Sequence, residues 1–233
     1  MSDNITTIDS MGYGSTVAER NKVLRNTYWL LSLSMVPTIL GAWIGVATGL
    51  GAAMATMSPW VGLIVFMAGA FGFMFAIEKF KNSAAGVPIL LAFTFFMGLM
   101  LSRLVGNILG LSNGASLIMT AFAGTGGIFL GMATLSTVIK RDLSSMGKFL
   151  FIGMIMVLVA AIANIFFQST ALMIALSVLV IGISSAFILY DLKRVKDGEE
   201  TNYISATLGV YLSLYNIFSN LLALLGIFGG ERD

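Results

Sequence analysis

Five small or polar residues lie on one face of the last apolar segment of the chain. Ser205, Gly209, Ser213, Asn216 and Asn220 follow one another at intervals of four, four, three and four residues, which places them on one side of an α-helix. Two serines and two asparagines on a helix face exposed to lipid would lack hydrogen-bond partners. We therefore expect this polar stripe to face other protein segments or a water-filled cavity.

The preceding apolar segment carries an acidic residue, Asp191, close to its end. Ser177, Ser184 and Asp191 recur every seven residues and therefore share a helix face that can meet the polar stripe across the hairpin. A carboxylate at the mouth of such a polar seam is a candidate proton or cation site. The alternative is an aspartate at the membrane interface that pairs with Lys193 or Arg194, and the sequence favours neither interpretation.

Arg103 is the clearest charged residue inside an apolar segment and is the candidate for a buried charge. An arginine at the centre of a membrane helix costs about 2.5–3.5 kcal/mol, and less near the headgroups. Two interpretations of Arg103 remain open. Its side chain either extends to the outer headgroups or faces the other helices and pairs there with an acid or with carbonyl groups.

The amino-acid composition excludes several classes of chemistry. The 233 residues include no Cys and no His, which removes disulfides, thiolate or imidazole metal sites and histidine general bases. Intramembrane aspartyl proteases need two carboxylates that share a proton, and no second Asp lies within an apolar segment. We therefore expect no enzymatic activity, no cofactor, no resident metal and no nucleic-acid partner.

The overall composition is that of a membrane protein. The chain is 58% hydrophobic and 10% charged, whereas soluble domains carry about 25% charged residues. Because a membrane-spanning helix needs about 20 apolar residues, we predict an all-α polytopic protein with seven transmembrane helices. The predicted spans are residues 28–50, 60–77, 87–109, 116–139, 149–167, 171–192 and 203–228.

The distribution of basic residues supports seven spans and predicts their orientation. Eleven of the thirteen Lys and Arg residues fall before the first span or in the second, fourth and sixth connections. These residues are Arg20, Lys22, Arg25, Lys79, Lys81, Lys140, Arg141, Lys148, Lys193, Arg194 and Lys196. The positive-inside rule then places the N-terminus in the cytoplasm and the C-terminus outside. We interpret residues 1–25 as a flexible cytoplasmic tail and residues 26–233 as one transmembrane domain.

Four stretches of the chain resemble the Bax inhibitor-1 family of seven-span membrane proteins. They are KVLRNTYWLLSLSM, LSTVIKRDLSSMGKFL, ANIFFQS and GEETNYISATLGVYLSLYNIFSNLLALLG. The last stretch is most similar to the bacterial YccA-type members. The resemblance implies a bacterial inner-membrane protein in which six helices surround a central last helix with a hydrophilic stripe.

The resemblance also implies two functions. Bacterial YccA-type members modulate the membrane-anchored AAA protease FtsH, near its prohibitin-like partner complex, and are themselves its substrates. Other members are pH-sensitive Ca²⁺ leaks in which one aspartate on each of the last two helices forms a latch. Asp191 matches the first of these aspartates, whereas Ser213 stands at the second position. FtsH modulation is therefore the main expectation and a cation leak the alternative, because one carboxylate cannot form a carboxyl–carboxylate pair.

Overall fold

Eight helices make up most of the described chain. The computed structural model describes residues 16–230, apart from the side chains of Ala55 and Pro59. The helices are α1 (Val17–Ala47), α2 (Leu50–Thr56), α3 (Pro59–Phe80), α4 (Gly86–Leu109), α5 (Gly114–Val138), α6 (Met146–Phe167), α7 (Thr170–Asp197) and α8 (Tyr203–Gly229). All except α2 are long and apolar enough to cross a membrane. The prediction of an all-α protein with seven spans is confirmed.

The first helix begins earlier than expected. Residues 17–25, assigned above to a flexible tail, form the first turns of α1, and residues 1–15 lie outside the described part of the chain. The Glu19 amide donates to the Thr16 hydroxyl (3.2 Å), and the Thr16 amide donates to the Glu19 carboxylate (2.7 Å). This capping box satisfies amides that have no partner within the helix, so α1 extends beyond the apolar stretch.

The seventh helix continues beyond its predicted end at residue 192 and stops at Asp197. Lys193 pairs with Asp197 one helical turn later, and two further cations lie in the last turn, where the helix dipole favours positive charge. Gly198 adopts a left-handed conformation (φ 85°) and ends the helix. Asp191 therefore lies within α7 rather than at its end.

A short helix, α2, was not predicted from the sequence. Gly49, at φ 73°, interrupts the path of the chain after α1, and α2 starts at the next residue. A Cβ atom at Gly51 would come within 3.0 Å of the backbone of Ser102 and Arg103. The glycine thus allows α2 to pack closely against α4.

Helices α1 and α4 pack with their backbones almost in contact. A Cβ atom at Gly98 would overlap the carbonyl oxygen of Thr38, and one at Gly41 would overlap that of Phe95. Gly41 and Gly98 therefore serve a close contact between two helices of the same chain. The glycines of α5 behave differently, because a Cβ atom at Gly127 or Gly131 would have no atom of the described chain within 4 Å.

The last helix lies among most of the other helices, but the ring of six helices that the resemblance implied is incomplete, because α6 packs against α7 instead. α8 contacts α7, α5, α1, α4 and α3, and the fully buried Tyr211, Ile217 and Leu222 lie along it. α6 is peripheral and packs mainly against α7. Only 6% of the apolar window of α6 is buried, compared with 28% for α8.

The basic connections meet at one end of the bundle, as their distribution predicted. The Arg20 guanidinium donates to the backbone carbonyl of Lys196 (3.3 Å), and the Lys196 ammonium donates to that of Thr137. At the start of α8, the Asn202 side-chain amide donates to the backbone carbonyl of Lys81 (3.2 Å). These contacts join α1, α5, α7, α8 and the α3–α4 connection. Which side of the membrane this end occupies stays a prediction.

Candidate functional site

The Asp191 carboxylate lies against the polar stripe of α8. A Cβ atom at Gly209 would be 2.6 Å from Oδ2 of Asp191, so the carboxylate occupies space that any other residue at position 209 would fill. Gly209 is thus the position of the stripe that permits this approach. The expectation that the Asp191 face meets the polar stripe across the hairpin agrees with this geometry.

The two cations proposed as alternative partners of Asp191 are engaged elsewhere. Lys193, only 7% exposed, pairs with Asp197. Nε of Arg194 lies 3.7 Å from the Glu199 carboxylate, and Nη2 of Arg194 lies 3.9 Å from the Glu200 carboxylate. Within the described residues Asp191 forms no ion pair. Asp191 therefore does not pair with Lys193 or Arg194 in the structure, and its position relative to the membrane interface stays a prediction.

Buried hydroxyl groups border the same helix pair. Ser184 of α7 is fully buried and Ser213 of α8 is 6% exposed. The hydroxyls of Ser184 and Ser205 are buried and form no hydrogen bond within the described chain. A buried polar group without a partner costs about 1–3 kcal/mol, so these two hydroxyls retain the capacity to bind a polar group. Their positions agree with the predicted polar seam.

Asn220, the last residue of the stripe, uses its side chain within α8. Asn220 donates from its amide nitrogen to the backbone carbonyl of Asn216 (2.8 Å), and Ser219 donates to the same carbonyl (3.2 Å). Both asparagines are half-buried. The structure thus places Asn216 and Asn220 further along α8 than the Asp191 contact, and their role in a site stays a prediction.

Arg103 is not a buried charge. Its side chain is exposed on the surface of α4, and it forms no ion pair within residues 16–230. The interpretation that places the side chain inside the bundle is therefore wrong, and its extension to the outer headgroups stays a prediction. The physical reason is that the preceding residue, Ser102, takes the buried position and donates a hydrogen bond to the carbonyl of Leu99 (2.6 Å).

The sequence interpretation missed a buried hydroxyl cluster that joins three helices. The hydroxyl of Tyr211 on α8, a residue 1% exposed, lies 2.8 Å from Oγ1 of Thr38 on α1 and donates to the carbonyl of Thr94 on α4 (3.4 Å). One turn earlier on α8, Thr207 donates to the carbonyl of Thr27 (3.4 Å). The spacing of Thr27, Ser34 and Thr38, which share one face of α1, was the signal for this cluster.

These features define a class of protein: a polytopic α-helical membrane protein whose last two helices hold an acid within the bundle. Within the described residues, no group of three or more acidic side chains could hold a metal ion. A lone carboxylate in such surroundings is a candidate site for a proton or a mobile cation, and this role stays a prediction.

Comparison with known proteins then identifies the family. The family model described as "Inhibitor of apoptosis-promoting Bax1" matches residues 20–230, and the chain belongs to this Bax inhibitor-1 family. A protein of Vibrio cholerae named "Uncharacterized membrane protein" is 40% identical over 90% of this chain and 91% of its own. The Escherichia coli protein named "Modulator of FtsH protease YccA" is 37% identical over 94% of this chain and 95% of its own. The family and the seven helices make this chain a multi-pass inner-membrane protein.

Proposed function

We propose that this protein binds the membrane protease FtsH and slows its action on other membrane substrates, without being an enzyme itself. The observation that carries the proposal is the similarity to the Escherichia coli FtsH modulator, which extends over nearly the full length of both chains. The prohibitin-like partner complex of FtsH is included in the proposed assembly. The protein would lie with its N-terminus in the cytoplasm, on the side of the ATPase domain.

Competition for the protease is the proposed mechanism. An AAA protease pulls on an accessible end of its substrate, and residues 1–15 provide a polar segment ahead of α1. Behind this segment comes α1, whose close backbone contact with α4 through Gly41 and Gly98 must be broken before the helix leaves the bundle. Because the protease can bind the N-terminal segment but extracts the bundle slowly, it would stay occupied by this protein.

Deletion of residues 2–14 tests this mechanism and keeps the Thr16–Glu19 capping box intact. We expect the shortened protein to have a longer half-life in cells, to lose co-purification with FtsH in mild detergent and to stop slowing a reporter substrate. Replacement of residues 2–14 by the same number of Gly and Ser residues is the control for length. A full-length protein whose half-life is unchanged by FtsH depletion, and which does not co-purify with FtsH, would refute the proposal.

A cation leak along the α7–α8 seam is the second candidate function. It is favoured by one observation, the Asp191 carboxylate that lacks an ion pair within the described residues and lies against Gly209. Asp191→Asn should abolish Ca²⁺ flux into liposomes that contain the purified protein. Ser213→Asp should make any flux more dependent on pH, because paired carboxylates shift each other's pKa values. Flux by the unchanged protein at the level of empty liposomes would reject the leak.

A further inference from the structure

The cations at the basic end of the bundle differ in whether another group neutralises them. Lys81, Lys193 and Arg194 form ion pairs with acids close in sequence, and Arg20 and Lys196 bond to backbone carbonyls. The other six cations at this end are exposed and form no ion pair or hydrogen bond within the described chain: Lys22, Arg25, Lys79, Lys140, Arg141 and Lys148. The last three follow one another along the α5–α6 connection and the first turn of α6.

The acid in this connection, Asp142, forms no ion pair with these three cations within the described chain. Asp142 accepts a hydrogen bond from the Ser144 amide (2.8 Å), which holds the pKa of this carboxyl below its usual value. The carboxylate is thus turned towards the backbone of its own turn. Three cations and one engaged carboxylate leave the connection with a local excess of positive charge.

Apolar surface continues directly from this charged connection along α5. Gly127, Gly131 and Val138 are spaced at intervals of four and seven residues and share one exposed face of the helix. Val138 is 66% exposed, and a Cβ atom at either glycine would meet no atom of the described chain within 4 Å. On the other side of the connection, Phe149 follows Lys148 and is 74% exposed.

The neighbouring helices leave this surface open. α5 and α6 both pack against α7, but they make few contacts with each other. The shallow face of α5, lined by glycines, therefore forms an apolar surface that ends at Lys140 and Arg141. An apolar chain attached to a negatively charged phosphate is the molecule that such a surface fits.

We propose that this patch, formed by Lys140, Arg141, Lys148 and the Gly127–Gly131–Val138 face of α5, binds an anionic phospholipid of the surrounding leaflet. The cations contact the headgroup phosphate, and an acyl chain lies along α5. The proposal concerns a surface distinct from the α7–α8 seam and does not depend on an interaction with FtsH.

Titration of the delipidated full-length protein with dioctanoyl phosphatidylglycerol, followed by native mass spectrometry, tests the proposal. The triple variant Lys140→Gln, Arg141→Gln, Lys148→Gln should bind this lipid at least tenfold more weakly. The matched control, Lys22→Gln, Arg25→Gln, Lys79→Gln, removes the same charge from exposed positions at the same end and should stay within twofold of the unchanged protein. Equal thermal stability of both triple variants shows that they are folded.

Two competitors identify which part of the lipid is recognised. Dioctanoyl phosphatidylcholine should bind at least tenfold more weakly than the anionic lipid, and inorganic phosphate at equal concentration should not displace it. An equal loss of affinity in both triple variants would overturn the proposal in favour of general charge attraction. Displacement by inorganic phosphate would overturn it in favour of a free-phosphate site, and unchanged affinity in the first triple variant would also refute it.

Discussion

Helices α4 and α6 have similar lengths, 24 and 22 residues, but opposite environments. In α4, 39% of the apolar window is buried, against 6% in α6. The buried face of α4 includes a glycine, a threonine and a serine, whereas Val157 is the buried residue of α6. Since lipid tails are as apolar as a side chain of Leu, hydrophobicity alone does not drive helices together in a membrane.

The comparison teaches that small and polar residues at particular positions bring α4 close to its neighbours. Gly98 brings α4 to α1, and the Tyr211 hydroxyl links both helices to α8. In α6, the glycines face α7, and a Cβ atom at Gly147 would be 2.5 Å from the ring of Tyr190. The largest effects of mutation should therefore fall on the α1–α4–α8 side.

The strongest test of this comparison is Gly98→Leu. The added side chain would overlap the Thr38 carbonyl, and because backbone cannot move aside cheaply, α1 and α4 must separate. We expect a loss of about 3 kcal/mol or more, seen as a large drop in the melting temperature in detergent. Gly131→Leu is the matched control, since a Cβ atom there meets nothing within 4 Å. Equal melting temperatures of the two variants would contradict the assignment of the core.

Tyr211→Phe tests the hydroxyl cluster with a smaller expected effect. The ring still fills its place, but the hydrogen bonds to Thr38 and Thr94 are lost, at a cost of about 1–2 kcal/mol. Tyr203→Phe serves as the control, because its hydroxyl forms no hydrogen bond within residues 16–230. Thermal unfolding of both variants in the same detergent gives the difference. The hydroxyl cluster would be irrelevant to stability if the two melting temperatures matched.

These effects also show what the sequence could and could not predict. The spans follow from local composition, because each needs only a continuous run of apolar residues. The Asp191 face and the polar stripe were found because each repeats regularly within one helix. The Tyr211–Thr38 contact was missed since it joins residues 173 positions apart. Local composition likewise cannot tell which side of α4 faces its neighbours, which is why the burial of Arg103 had to stay open.

Helix boundaries were less accurate than the spans for a related reason. The apolar run that identifies a membrane helix ends before the helix does wherever charged residues support further turns. The Thr16–Glu19 capping box and the Lys193–Asp197 ion pair are such supports. Both were visible in the sequence as a Thr-x-x-Glu pattern and as opposite charges four residues apart. The Lys193–Asp197 pattern indicates that α7 continues past Asp191, so recognising it would have placed Asp191 within the helix.

The contact between Asp191 and Gly209 calls for a double-mutant cycle. Gly209→Ala should destabilise the protein by about 1 kcal/mol, because the new methyl group displaces the carboxylate. In an Asp191→Ala background, the same substitution should cost much less, since the obstructing oxygen is gone. Unfolding free energies of the four proteins give a coupling of about 0.5–3 kcal/mol if the two residues touch. Additive effects would show that Asp191 does not lie on Gly209, and the candidate site would lose its geometric basis.

The smallest effect is expected at Arg103, the charged residue on the outside of α4. Arg103→Gln removes a charge that is exposed and has no ion-pair partner in the described chain, so the melting temperature in detergent should change by an amount corresponding to less than about 0.5 kcal/mol. Lys193→Gln is the informative comparison, because the Lys193 side chain is only 7% exposed and pairs with Asp197, so that the substitution removes packing contacts as well as an ion pair. A loss at Arg103 as large as that at Lys193 would mean that the Arg103 charge is used inside the bundle after all.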